Sequence, residues 1–191
     1  MHSPVPLLFL ALAPAVLGWP VGSLHQARSP IAGLPAAERA LITRLVRPDL
    51  GPLFQGEPQT TLDKAIRSFP AERVGLGATR AVVVQASGSE LCDSGANCAL
   101  WIIDLQHRRV LLKTVAHSYA LTRSASSAVP DLVTRTQRSV TEGELTRWRH
   151  DDPRYVTVSC ATVDNADSSG TSYAGPRFTP HPCNEGNDSS R

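Results

Sequence analysis

The chain has 191 residues, 41% hydrophobic and 19% charged, which excludes both a wholly disordered and a wholly membrane-embedded protein. Its 19 basic residues against 17 acidic ones leave a net charge of +2, too balanced to call for a nucleic-acid partner. With an N-terminal leader removed, roughly 170 residues remain, enough for one domain with a proper core and too few for two.

Met1–Ser23 reads as a secretory signal peptide. Its apolar run, Val5–Gly18, has the length of an h-region and is too short to span a bilayer. Val16 and Gly18 supply small residues for cleavage after Gly18, and Val21 and Ser23 offer a second site. Pro4, Pro6 and Pro14 oppose a buried helix here, since an interior proline costs roughly 3 kcal/mol. The expected location is secreted or periplasmic, with no transmembrane helix in the mature chain.

Leu24–Gly33 reads as linker and residues 34–163 as a single domain. A helix is predicted over Pro35–Arg47, with Ala37, Leu41 and Leu45 on one face and Pro48 as its stop. Thr61 is expected to cap a second helix in which Leu62, Ala65, Ile66 and Phe69 share a face and Pro70 ends it. From residue 79 the pattern turns β-branched. Strands are predicted at Ala81–Gln85, Ala99–Leu105, Arg109–Ala116 and Ser118–Arg123, then at Asp131–Gln137, Glu144–His150 and Arg154–Ala161. Their close spacing leaves no room for crossover helices, so pairing is mostly antiparallel. The predicted class is α+β: one or two N-terminal helices, then a mostly antiparallel curved sheet of about six or seven strands. Asp164–Arg191 is rich in Ser, Gly, Asn, Asp and Pro and reads as a disordered polar tail, tethered near Cys183.

Four cysteines in an exported chain imply disulfides. Of three connectivities, Cys92–Cys98 with Cys160–Cys183 is favoured. The first closes CDSGANC, where Gly95 and Asn97 are able to take positive φ. The second pins the tail to the body. Chain-entropy arithmetic gives about 2.4 and about 3.4 kcal/mol for the two rings. The spacing lacks a zinc knuckle, and no carboxylates fill Ser124–Ala128 to hold calcium beside Asp131, whose expected role is to hydrogen-bond its own turn. No metal and no cofactor is expected.

Residues 107–154 carry nine basic against five acidic residues. Seventeen of the 19 basic residues are Arg, which favours fork-like contacts to carboxylates and phosphates. An anionic partner is one reading of this stretch; an ordinary solvated sheet face is the other.

For catalysis, Asp104 and His107 flank one predicted turn, and His150, Asp151 and Asp152 flank another. At one end of the sheet they would form a carboxylate–imidazole cluster suited to hydrolysis. Otherwise they are polar because turns meet water. No nucleophile elbow, H-E-x-x-H, P-loop, dinucleotide fingerprint or C-x-x-C is present. For binding, the ring residues Asp93 and Asn97 are the candidates, on a rigid loop preorganised to enter a cleft.

The stretch Gly95–Cys160 resembles a group of small exported uncharacterised bacterial proteins. The residues that carry it are Gly95-Ala96-Asn97-Cys98-Ala99-Leu100-Trp101, Leu111-Leu112, Pro130-Asp131-Leu132-Val133, and Trp148-Arg149-His150-Asp151 with Tyr155. The resemblance covers about a third of the chain and implies a secreted antiparallel-sheet domain without implying an activity. Where such proteins carry an aromatic–Asp–Gly hairpin, this chain has Asp151-Asp152-Pro153. Separately, Ser169-Gly170-Thr171-Ser172-Tyr173 is similar to the enzyme-facing S-G-x-x-Y loop of periplasmic lysozyme inhibitors, whose second motif, Y-x-x-x-T-K-G, is absent here. The first expectation is a non-enzymatic, disulfide-stapled binding protein of the cell envelope, meeting an envelope protein or cell-wall polymer. The alternatives are a lysozyme inhibitor and a hydrolase using the turn His and Asp residues.

Overall fold

The computed structural model describes residues 28–77, 79–123, 128–164 and 177–183. The expected signal peptide lies outside these residues. One five-stranded antiparallel meander runs β1 (Ser29–Pro30), β2 (Pro70–Leu76), β3 (Thr79–Gln85), β4 (Cys98–Asp104), β5 (Arg109–Ala116). A second runs β6 (Ser118–Thr122), β7 (Asp131–Gln137), β8 (Glu142–Asp151), β9 (Arg154–Asp164), β10 (Arg177–His181). Helices α1 (Ala36–Leu50) and α2 (Gln59–Ser68) fall between β1 and β2 in the chain.

The first sheet is the middle layer, and its sequence says why. Side chains alternate across a strand, so a strand apolar at every position is buried on both faces. Val82 and Val84 of β3, with Trp101 and Ile103 of β4, pack under Ile42, Val46, Leu62 and Ile66 of the helices. Ala81, Val83, Leu100 and Ile102 point the other way, onto Tyr119, Leu121, Leu132 and Trp148 of the second sheet. A bulge opposite Ile102 and Ile103 turns both Leu111 and Leu112 of β5 into this inter-sheet core. At one edge, Tyr119 donates its hydroxyl to buried Glu72 at 2.9 Å, and the Arg28 guanidinium lies 4.3 Å over the Tyr119 ring. Burial, followed by the Glu72 charge, pushes the Tyr119 pKa up.

The α+β class is correct, but the single curved sheet of six or seven strands is two sheets of five. The chain changes sheet at His117, the residue between β5 and β6. A strand, a tight joint and another strand look alike in sequence whether the second pairs or crosses over.

Several boundaries differ as well. Residues 29–33, read as linker, form β1 and a 3-10 turn with Ile31 fully buried. Helix α1 passes Pro48 and ends at Leu50. Proline there removes one backbone bond, to the Arg44 carbonyl. The end is tied down instead by Asp49, which accepts from Trp101 Nε1 and Lys113 Nζ, each at 2.7 Å. The buried face of α1 is Leu41, Ile42, Val46 and Leu50, so Ala37 is exposed. Helix α2 starts at Gln59 after Pro58, with no side-chain cap from Thr61. In the expected tail, Arg177–His181 pairs with β9 as a strand.

Candidate functional site

Cys92 is bonded to Cys98 and Cys160 to Cys183, the pairing favoured from the sequence. The smaller ring sits between β3 and β4 and is organised from within. Asp93 Oδ1 accepts from the backbone N–H groups of Gly95 and Asn97, and its Oδ2 accepts from Asn97 Nδ2, all at 2.9 Å. Led by the Asn97 side chain, these bonds hold the Asp93 carboxyl below its usual range. The left-handed residue of the turn is Ala96, with φ of 55°, rather than Gly95 or Asn97.

The ring also reaches the other sheet. Asn97 Nδ2 donates to Gln137 O at 2.8 Å, and Gln137 N–H donates to Asn97 Oδ1 at 2.6 Å. Asn97 thus pairs with the end of β7 as another backbone segment would. His117, at the sheet-to-sheet joint, places Nδ1 3.3 Å from Gly95 O. The ring is an inter-sheet clamp. Both amide hydrogens of Asn97 are committed to it, and the residue is 7% exposed. Asp93 remains at the surface.

Gly95 is required by contact. A Cβ there would lie 2.7 Å from Gln137 O and 2.8 Å from Asn97 Nδ2. Gly95→Ala is expected to lower stability by about 2–3 kcal/mol, read as a lower urea midpoint at unchanged slope. Gly33→Ala, where nothing lies within 4 Å, is the control and should stay within about 0.5 kcal/mol. Equal effects would show that the close approach does not decide the ring's geometry.

The second candidate lies on two turns. Asp104 is 2% exposed; its Oδ1 accepts from Gln106 N–H and His107 N–H, and its Oδ2 lies 2.7 Å from His107 Nδ1. Arg109 links the turns: its Nε is 3.7 Å from Asp104 Oδ2, and its Nη2 donates to Asp152 Oδ1 at 3.1 Å. The β4–β5 and β8–β9 turns therefore meet at one end of the molecule. His150 instead packs edge-on against Tyr155, ring centroids 5.4 Å apart. Asp151 is exposed and pairs across the strands with Arg154. Among the described residues no hydrogen bond, ion pair or ring contact joins His107 to His150.

Burial pushes the Asp104 carboxyl up, but the bonds from His107 and Gln106 outweigh it, and its pKa lies below the ordinary value. A depressed carboxyl pKa stabilises the fold above the unfolded-state value, near about 3.9. That stabilisation disappears as pH falls through the folded value. The stability gap between the wild type and Asp104→Asn should be widest above about pH 5 and close below about pH 4. Urea midpoints across this range test it; a gap that widens in acid reverses the sign and defeats the assignment.

A third feature was not singled out as a site. Asp131 is fully buried and accepts from Arg147 Nε and Nη2 at 2.8 and 2.6 Å, with Arg149 Nε at 3.7 Å. It reaches across to β8 rather than bonding its own turn. No group of three or more His, Cys, Asp or Glu is arranged to hold a metal ion among the described residues. No helix among them is long and apolar enough to cross a membrane. The Ser169–Tyr173 motif lies outside them. In comparisons with family models, curated proteins and solved structures, the chain matches none.

Proposed function

We propose that this chain is an exported, disulfide-stapled binding domain that meets an envelope protein or a cell-wall polymer. The observation that carries this reading is the clamp: the Cys92–Cys98 ring is hydrogen-bonded through Asn97 to β7 of the opposite sheet. A domain whose surface loops are fixed before binding loses little ordering entropy when a partner docks. The export reading draws on the apolar leader Val5–Gly18 and on two disulfides, which persist in oxidising compartments. The test is capture from envelope extract, and co-sedimentation with purified cell wall, beside a Cys92→Ser/Cys98→Ser variant. A retained partner that weakens with the ring opened sustains the reading; nothing retained above background counts against it.

A hydrolase is the second reading, favoured by one observation. Asp104 orients His107 through Nδ1, and the imidazole is half exposed, the relation of orienting acid to general base. Hydrolysis of p-nitrophenyl esters that vanishes in His107→Ala would support it. Activity equal in wild type and His107→Ala would remove it.

A further inference from the structure

A groove of about 470 Å³ runs along the outer surface of α1, beside α2, on the side away from the sheets. Its shape follows from helical spacing. Ala36, Ala40 and Arg44 descend one row of α1 at intervals of four, and Arg39, Thr43 and Arg47 descend the next. The two alanines leave space, and the arginines rim it. Asp63 and Arg67, four apart on α2, close the far side.

Four guanidiniums therefore face one carboxylate. The sequence conceals this, because residues 28–106 balance at eight basic and eight acidic. The fold separates them. Glu38 pairs with Arg73, Asp49 with Lys113, Glu72 with Tyr119 and Asp104 with His107, all outside the groove. Inside it, Arg39 donates to the carbonyls of Leu34 and Ala32, and Arg47 Nη2 to Asp63 Oδ1 at 2.5 Å. Arg47 Nε is buried without an acceptor, and buried donors are ordinarily satisfied. Arg44 and Arg67 are exposed and have no hydrogen-bond or ion-pair partner among the described residues.

We propose that this groove binds a ligand bearing two or more phosphate groups, held by Arg44, Arg47 and Arg67. A planar carboxylate presents one edge to one guanidinium fork. A tetrahedral phosphate presents several, and these forks converge from two different helices. Arg44 and Arg47 lie one turn apart on α1, about 4.5 Å along its axis. Arg67 lines the groove from α2, so three forks are available to more than one phosphate. The proposal goes beyond the binding reading above and does not depend on the ring.

The test uses the intact, oxidised chain. Isothermal titration with tripolyphosphate measures the free anion, and flotation with cardiolipin vesicles, whose headgroup carries two phosphates, against phosphatidylcholine ones, measures a lipid headgroup. Variants are Arg44→Ala/Arg67→Ala, Arg44→Lys/Arg67→Lys and, on the opposite layer, Arg154→Ala. Saturable tripolyphosphate binding that falls about tenfold or more in the first variant, less in the second, and within about twofold in the third supports a soluble phosphate ligand. The same ranking on cardiolipin vesicles alone supports a two-phosphate headgroup. Both altered arginines are exposed, so the variants should melt with the wild type. No binding in either arm, or equal losses in Arg154→Ala, overturns the proposal as no site or as general surface charge.

Discussion

Trp101→Ala should be the most damaging apolar truncation in the chain, costing about 3–5 kcal/mol. Trp101 is fully buried at the centre of the helix-facing core, and its ring lies parallel to Phe69 with centroids 6.5 Å apart. It also donates Nε1–H to Asp49, so one side chain joins the middle sheet to the end of α1. Trp101→Phe separates the two roles. It keeps most of the packing and loses the donor, for an expected cost of about 1–2 kcal/mol. Asp49 would still hold Lys113 in that variant. Urea denaturation of both variants measures the difference. If Phe costs as much as Ala, the hydrogen bond rather than the packing holds the helix to the sheet. Small domains are stable by only about 5–15 kcal/mol, so the alanine variant should be partly unfolded at moderate temperature.

The strands that were legible were those whose own residues announce them. Ala81–Gln85 and Ala99–Leu105 are β-branched or aromatic runs, and both are found within a residue or two of their predicted ends. β2 was missed because it opens on a proline and carries Glu72, Arg73 and Gly75, a pattern that reads as loop. Its burial is a tertiary fact: Glu72 is tolerated inside because Tyr119, on another sheet, bonds it. β10 was missed for a similar reason, since pairing with β9 and the bond at Cys183 order a segment with little apolar content. The predicted helix face was only part of the buried one: Leu41 is buried and Leu45 packs against the core, but Ile42, Val46 and Leu50 carry the rest and Ala37 is exposed.

The sites show the same division. The ring's closure was legible from two cysteines and a small-residue loop. Its direction was not, because Asn97 works through the backbone of Gln137, 40 positions later. The Asp104–His107 contact was legible as a local turn, whereas its link to Asp152 needed Arg109 to span 43 positions. The arginine groove was present in the four-residue spacing of α1. Counting charges along the chain hid it, since the neutralising acids leave for other faces only once the chain is folded.

Asp131 carries the largest expected polar effect. It is 0% exposed, Arg147 is only partly exposed, and the two hydrogen bonds from Arg147 fall on the same oxygen. The other oxygen is buried without a hydrogen bond, with the Arg149 guanidinium 3.7 Å away. Such a pair adds little over apolar packing while intact, but breaking it strands a charge. Asp131→Ala and Arg147→Met are each expected to cost about 3–5 kcal/mol. The joint variant Asp131→Leu/Arg147→Met removes both charges and should recover most of that loss, giving strongly non-additive energies. Urea midpoints of all three variants test it. If each single change costs under about 1 kcal/mol and the two simply add, Asp131 is screened like a surface carboxylate and does not anchor β7 to β8. A joint variant as unstable as the singles would show that the side chains' shape, rather than their charge, fills this part of the sheet.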